Sequence, residues 1–387
     1  MNNIFVLANR EIVIKDIEAA MIVPHEATEK EVKFPFEMIY RSINHYFIES
    51  ASSEYLFILD FFSVCKELSK GEKDTTFSGK LVISMFKPSL LSIKENLINY
   101  INTSFDPIGL LFVLRITSLQ KQLMHKRGME FLDYFFETLD NAVWPRWQQV
   151  MQFNIDSLKS HSTEPSKEVL PLRPHYVTRK YSDLVCAILF ITSSFKDFRI
   201  DESLNFLRVE LVALLERLGK QINLQKDKII FNICNYDQII QVLKEKNIIS
   251  TESVTFEELI KREISKYVDI ELSTFYSELI KFVEDTEPLI KQKSQLNLDQ
   301  NKVGKIASNF RDNWKKDVEA LAKSILFHHF SNNSLGSDIL RDLLLKLSLY
   351  NTKFWDIIKI AFGANTFNKF YVANFMITDE FKKWAKF

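Results

Sequence analysis

The sequence is poor in the two residues that most often build tight turns, with 8 Gly and 9 Pro among 387 residues. Soluble proteins contain about 7% Gly and about 5% Pro on average, so tight turns must be few here. β-Sandwiches and open α/β sheets need frequent glycine-bearing turns, whereas long helices need only a handful of connections. The composition therefore predicts an all-α fold.

Cysteine and net charge are scarce as well. The three cysteines, Cys65, Cys186 and Cys234, are far apart and surrounded by apolar residues. This pattern indicates buried free thiols in a reducing compartment and excludes a disulfide scaffold. Lys plus Arg and Asp plus Glu each total 50, so no long-range field would attract the chain to a polyanion. We expect no nucleic-acid partner.

Long apolar runs and a signal sequence are also missing. The longest uncharged run, residues 184–195, is shorter than the roughly 20 apolar residues that a membrane helix requires. The first residues lack the basic-then-apolar order of a signal peptide, so we expect a cytoplasmic protein. Core material is abundant, with 46% hydrophobic residues and 33 Phe. Because one core stops growing near about 250–300 residues, we expect at least two sub-domains.

Helical periodicity is strongest in the second half. Asp201 is a plausible N-cap, and Thr255-Phe256-Glu257-Glu258 has the spacing of a capping box. A turn is predicted near residues 332–336. Apolar residues at three- or four-residue steps predict five helices, over Leu204–Ile222, Ile229–Leu243, Ile264–Phe282, Val303–Ile325 and Ile339–Ala361.

The first half is richer in aromatic residues and less periodic. A helix is predicted from Phe34-Pro35-Phe36 to about Phe61, and its near-continuous apolarity is typical of a buried helix. A second helix leads to Trp144-Pro145-Arg146-Trp147, where Pro145 should kink or restart it. Loops are predicted at 69–79 and 292–301. The polar segment 159–172 is predicted to link an N-terminal helical bundle, residues 1–158, to C-terminal helical bundles, residues 173–387.

No motif carries recognisable chemistry. The glycines are scattered singly, so no phosphate-binding loop is present. No paired cysteines begin a zinc site, and His25-Glu26-Ala27-Thr28-Glu29 has Glu29 where a metalloprotease needs a second histidine. Three further candidates fail on spacing or missing partners: His328-His329, the calcium-like alternation of Asn297, Asp299 and Asn301, and Cys234. We expect no enzyme, with no catalytic, cofactor-binding or metal-binding residues.

The segment Arg173–Tyr181 packs aromatic, basic and hydroxyl side chains into nine residues. The structural interpretation, which we favour, places Pro174 in the first turn of a helix, Tyr176 and Tyr181 inside, and Arg179 beside a carboxylate of a neighbouring helix. The alternative is a partner-binding surface formed by Arg173, His175, Arg179 and Lys180.

This segment closely resembles a signature of the vacuolar protein sorting subunit fifty-two family, the subunit shared by the GARP and EARP retrograde tethering complexes. The stretch from about Phe362 to Phe387 resembles the family weakly. Four other groups of residues resemble the family and occur along the chain in the family's order. They are Ile22–Ala27 with Phe34–Glu37, Tyr40–Ser42 and Glu54–Ile58; Trp144–Trp147 with Asn154, Ile155 and Ser157; Asn235–Asp237; and Phe310–Leu321.

The resemblance implies an elongated rod of stacked helical bundles and a non-catalytic subunit that captures endosome-derived vesicles at the trans-Golgi network. The implied partners are the other tethering-complex subunits, SNARE proteins and a Rab-type small GTPase. The implied location is cytoplasmic and peripheral on trans-Golgi network and endosome membranes. Family members usually carry an N-terminal coiled-coil region that assembles the complex, whereas here Met1 lies just before the first matching group.

A second functional hypothesis is a peripheral membrane-binding helical module. It would use an apolar, Phe-rich tail and two basic clusters, and it predicts binding to anionic vesicles that weakens at high salt. The first basic cluster comprises Arg115, Lys121, His125, Lys126 and Arg127. The second basic cluster comprises Arg173, His175, Arg179 and Lys180.

Overall fold

The computed structural model describes residues 21–22, 33–66, 75–161, 173–193, 195–291, 298–330, 332–363 and 366–384, without the side chains of residues 63–66, 75–76, 291 and 328–329. All regular elements in these ranges are helices and none is a strand, which confirms the all-α prediction. The α-helices are α1 Phe36–Lys66, α2 Thr75–Met85, α3 Lys87–Thr103, α4 Pro107–Lys126, α5 Asp133–Lys159, α6 Tyr176–Thr192, α7 Phe198–Gly219, α8 Gln225–Glu245, α9 Thr251–Lys291, α10 Gln300–Lys323, α11 Asn333–Phe362 and α12 Asn374–Lys382.

The chain forms two compact units. Unit 1 comprises Met1–Ser162, Lys180–Leu214 and Glu245–Ile248; unit 2 comprises Thr163–Arg179, Leu215–Lys244 and Ile249–Phe387. The rod shape and the division at residues 158 and 172 stay predictions.

In unit 1, α4 lies at the centre of the core. Its residues from Ile108 to Thr117 are all buried, as expected for a helix that is apolar on every side. The helix begins with Pro107 at its first position, and the Asp106 carboxylate accepts a hydrogen bond from the Ile108 N–H at 3.0 Å. Both features are typical of a helix start. Helices α1 and α5 pack against α4.

In unit 2, α9 and α11 form the largest helix–helix contact. Apolar residues of α11, including Leu343, Leu347 and Phe354, are buried. Polar pairs join the same two helices at the surface: Lys346 with Asp269, Lys353 with Glu287 at 2.7 Å, and the Tyr350 hydroxyl with Glu284 at 2.9 Å.

The five helices predicted in the second half are present, but two of their start signals were misassigned. Helix α7 begins at Phe198, and Asp197 is its N-cap because its carboxylate accepts from the Arg199 N–H at 2.9 Å. The Asp201 prediction is therefore wrong, since this residue lies inside the first turn. Helix α9 begins at Thr251, where the Ser250 and Ser253 side chains each accept from the other's backbone N–H. The predicted box at Thr255 lies within the helix.

Two predicted interruptions are also corrected. Helix α5 continues through Pro145, so the predicted restart there is wrong, whereas the predicted kink stays a prediction. The predicted loop at 69–79 is wrong for residues 75–79, which belong to α2; residues 69–74 lie outside the described ranges. In the predicted loop at 292–301, residues 298–299 are non-helical and α10 begins at Gln300; residues 292–297 lie outside the description.

Candidate interaction surface

The segment Arg173–Tyr181 is fastened by one buried amide, that of Asn235 on α8. Its Oδ1 accepts from the His175 N–H at 2.8 Å and from the Thr178 hydroxyl at 2.6 Å, and its Nδ2 donates to the Phe231 carbonyl at 2.8 Å. A fully buried amide must be hydrogen-bonded in this way to be tolerated in a core. The segment therefore has a structural function, joining the start of α6 to α8.

The details of the segment differ from the prediction. Tyr181 is buried as predicted, but Tyr176 is 57% exposed, so its inward packing was wrong. Pro174 lies before the first helical residue, Tyr176, instead of in the first turn. The predicted alternative surface is partly available, since Arg173, Arg179 and Lys180 are exposed and His175 is half-buried.

The Trp144–Trp147 group also fastens the fold of unit 1. The Trp147 indole is fully buried and donates to the Pro107 carbonyl at 3.1 Å. Arg146 donates to the Ser104 carbonyl at 3.1 Å. The guanidinium of Arg199, which sequence reasoning missed, lies 3.7 Å from the Trp144 ring centroid. These contacts hold α5 to the start of α4 and to α7.

Helix α1 has two apolar faces. One faces the core of unit 1, where Phe47, Ile48 and Ala51 are buried. The other is exposed: Phe57 and Phe61 have 63% and 56% of their surface accessible. The prediction that α1 is a buried helix is therefore wrong for one side. We call this side the α1 outer face and define it by Ile39, Ile43, Tyr46, Phe57 and Phe61.

The α1 outer face has the spacing of a coiled-coil seam. Positions 39, 43, 46, 50, 53 and 57 alternate steps of four and three residues, the pattern that keeps one seam in line along a helix. The two middle positions are exposed serines, Ser50 and Ser53. Small side chains there would let a partner backbone approach closely. Asp60, which is exposed, stands at the next position of the same spacing and ends the row with a negative charge.

The core-facing side of α1 is unusually polar. Glu37, Arg41 and Asn44 are all buried. The Tyr40 hydroxyl lies 2.8 Å from Thr117 Oγ1 on α4, and burial raises the pKa of this phenol. Polar pairing of this kind fixes the rotation of α1, and so determines which residues form the outer face.

Most members of the first basic cluster are buried or paired with carboxylates within unit 1. Arg115 is buried, and burial lowers the pKa of its guanidinium. Other members are paired with carboxylates: Lys121 with Glu137 at 3.0 Å, His125 with Asp133 at 2.7 Å and Arg127 with Glu49 at 2.5 Å. The positive charge that a membrane-binding face needs is thus largely compensated.

The described residues carry few groups suited to chemistry. Burial, helped by Asp237, raises the pKa of the Cys234 thiol to about 12, so the thiol stays protonated and is a poor nucleophile. Asp299 caps α10 by accepting from the Asn301 N–H at 2.9 Å. In the part of the chain that is described, no group of three or more His, Cys, Asp or Glu residues could hold a metal ion. The motif His25–Glu29, Asn297, and the side chains of Cys65, His328 and His329 lie outside it.

None of the helices in the described ranges has an apolar stretch long enough to cross a bilayer.

One further residue that joins separate elements through hydrogen bonds was not predicted from the sequence. Asn351 on α11 is buried and donates to the Val372 carbonyl at 2.9 Å and to Asn374 Oδ1 at 2.7 Å. Its own Oδ1 accepts from the Trp355 indole at 3.1 Å. The sequence contained a signal for this role. Between Leu347 and Phe354 the core-facing position of the apolar stripe is Asn351 and not Tyr350. A lone amide among apolar residues needs hydrogen-bond partners.

Comparison with known proteins gives a consistent result. A family described as "Vps52, C-terminal" matches residues 1–268. Vacuolar protein sorting-associated protein 52 A of Arabidopsis thaliana is 30% identical over 388 residues, which covers 99% of this chain and 52% of that protein. The vacuolar protein sorting-associated protein 52 homolog of Homo sapiens is 28% identical over 356 residues, covering 89% and 47%. The chain thus spans about half the length of the curated relatives it matches.

Proposed function

Because this chain belongs to the Vps52 C-terminal family, we propose that it is a non-catalytic subunit of a vesicle-tethering complex. The complex acts in retrograde transport from endosomes to the trans-Golgi network and in endocytic recycling. The relatives' names, which refer to vacuolar protein sorting, support a role in membrane traffic.

The observation that carries a contact role is the α1 outer face. A row of exposed isoleucines and aromatics at coiled-coil spacing is costly to leave in water and is typical of a protein–protein interface. Its occupant under this proposal is a helix of a sister subunit, with apolar residues at the matching seam positions. A basic residue on that helix would complement Asp60.

The remaining partners follow from the family. They are the other tethering-complex subunits, SNARE proteins and a Rab-type small GTPase. The location is peripheral on trans-Golgi network and endosome membranes, reached through these proteins. The alternative is a peripheral membrane-binding module that uses both basic clusters and the apolar tail. The ion pairs of the first basic cluster argue against the use of that cluster.

The test is affinity isolation of the native protein from its own cells, followed by identification of co-purifying proteins. We expect sister tether subunits to be recovered in fixed proportion. Phe57→Glu on the α1 outer face should reduce their recovery at least tenfold, since it introduces a charge into an apolar seam.

The matched control is Phe375→Glu on α12, where the replaced ring is 68% exposed and lies outside the α1 outer face. This control should recover the same subunits as the wild type. Isolation of the wild type without any tether subunit would refute the proposed function. Equal recovery by both variants would instead refute only the assignment of the contact to α1.

A further inference from the structure

Helices α9 and α10 line an open cavity of about 260 Å³ at the point where α9 is interrupted. The break is at Tyr276, whose φ of −124° and ψ of 27° are not helical. The floor is formed by buried Leu279, Ile306 and Phe310. This volume is below the roughly 300–1,000 Å³ of sites for drug-sized ligands, and it suits a single side chain.

Tyr276, one of the residues that line this cavity, carries a buried hydroxyl. Tyr276 is only 4% exposed, and its hydroxyl has no hydrogen-bond partner in the described part of the chain. Burial raises the pKa of this phenol, so it remains a neutral hydroxyl that can donate or accept. Buried hydroxyls without a partner are rare in folded proteins, and this one belongs to a residue that lines a cavity, where a ligand could reach it after a small side-chain movement.

The charge of the cavity has one sign. Asp317 is half-buried at its side, and burial raises the pKa of its carboxyl. Glu278 is exposed at its mouth. None of the described residues that line the cavity is Lys, Arg or His. A cation would therefore complement it, because a partly desolvated carboxylate gains most from a charged donor.

Aromatic rings select among cations. The Tyr276 and Phe310 rings lie 5.6 Å apart edge to face, and the Phe275 ring lies 6.5 Å from that of Tyr276. A guanidinium is planar, stacks on aromatic rings and donates several hydrogen bonds at once, whereas an ammonium is a compact and strongly hydrated charge. We propose that this cavity binds an arginine side chain presented by a segment of a partner protein, donating to Asp317 and to the oxygen of Tyr276. The site is complete within unit 2 and does not depend on the α1 outer face.

The test is a titration of the intact protein with the peptide acetyl-Leu-Arg-Leu-amide, followed by NMR of the Leu279 and Ile306 methyl groups. We expect saturable shifts at these methyls. The same peptide with citrulline in place of arginine, which is isosteric but neutral, should bind at least tenfold more weakly. The lysine peptide should bind more weakly than the arginine peptide. Absence of shifts with the arginine peptide, or equal binding of the citrulline peptide, would overturn the proposal.

Variants locate the site. Asp317→Asn and Tyr276→Phe should each weaken arginine-peptide binding about tenfold, while Asp312→Asn, which removes an exposed carboxylate from the same helix, should not change it. In the absence of peptide, Tyr276→Phe should leave the melting temperature unchanged or raise it. The substitution removes a buried hydroxyl that makes no hydrogen bond in the described part of the chain, so no hydrogen bond is broken. A lowered melting temperature would show that the hydroxyl serves the fold, and would count against a ligand site.

Discussion

Helices α1 and α10 bury apolar residues in different units, but only α1 has a second apolar face. On α10, Phe310, Trp314 and Val318 are buried, and none of its residues is an exposed large hydrophobic. On α1, Phe57 and Phe61 remain exposed opposite a buried face. A helix with one apolar side can be covered by its own domain, whereas an additional exposed apolar side is typical of a protein–protein interface.

The core-facing sides of the two helices also differ. That of α10 is formed by apolar side chains, whereas that of α1 includes buried Glu37, Arg41 and Asn44. We therefore expect α10 to be maintained by close packing alone. The position of α1 should depend in addition on polar partners, and so on pH.

The largest expected effect tests the packing of α10. Trp314→Ala should lower the free energy of unfolding by about 3–5 kcal/mol, because it removes a buried ring and leaves a cavity. Phe57→Ala on the α1 outer face should change it by less than about 0.5 kcal/mol, as expected for an exposed position. Urea denaturation followed by circular dichroism measures both. A large loss for Phe57→Ala would mean that the α1 outer face is already covered.

The next effect concerns the charge near α1. Burial raises the pKa of Asp140, which acts electrostatically on Tyr40, to about 6. The folded state then holds this proton between about pH 4 and 6 while the unfolded state releases it, so this group makes stability fall as pH rises through that window. Asp140→Asn should raise the free energy of unfolding by about 1–3 kcal/mol at pH 7.5.

At pH 3, which is below the ordinary pKa of 3.8, this carboxyl is mostly protonated in both the folded and the unfolded state, so the variant and the wild type should be nearly equally stable. The measurement is a series of denaturation curves between about pH 3 and 8. A stability difference that does not vary with pH would contradict the electrostatic explanation and would leave only a change in hydrogen bonding.

The smallest effect is at the start of α10. Asp299→Ala removes the side chain that accepts from the Asn301 N–H and should cost about 1 kcal/mol. Asp312→Ala, an exposed carboxylate farther along the same helix, should cost less. Equal losses from the two would show that Asp299 acts through general charge and not as a cap.

The same contrast explains what could be predicted from sequence. The stripe on α10 has a clear period because one face is polar, and the prediction of a helix over 303–325 was close to the observed Gln300–Lys323. The apolarity of α1 correctly predicted a helix, but it was interpreted as a sign that the whole helix is buried. Composition along a helix cannot distinguish a face that is covered by its own fold from one that a partner covers.

Residues that join separate elements through side-chain hydrogen bonds were harder to predict, because their partners are distant in sequence. Asn235 contacts His175, 60 residues away, and Asn351 contacts Val372, 21 residues away. The Arg173–Tyr181 segment could be identified as structural, but not the amide that holds it. Helix starts failed for a local reason: Asp201 and Thr255 fit capping patterns, and the true caps, Asp197 and Ser250, stand only a few residues earlier.

The hydrogen bonds of Asn351 set a practical limit on where this polypeptide can be shortened. A fragment ending before Val372 would strip the Asn351 amide nitrogen of two acceptors and would remove α12, which packs against α11. Such a fragment should be poorly soluble even though it keeps all of α11. Any minimal version made for crystallography or for binding assays should therefore extend at least through α12.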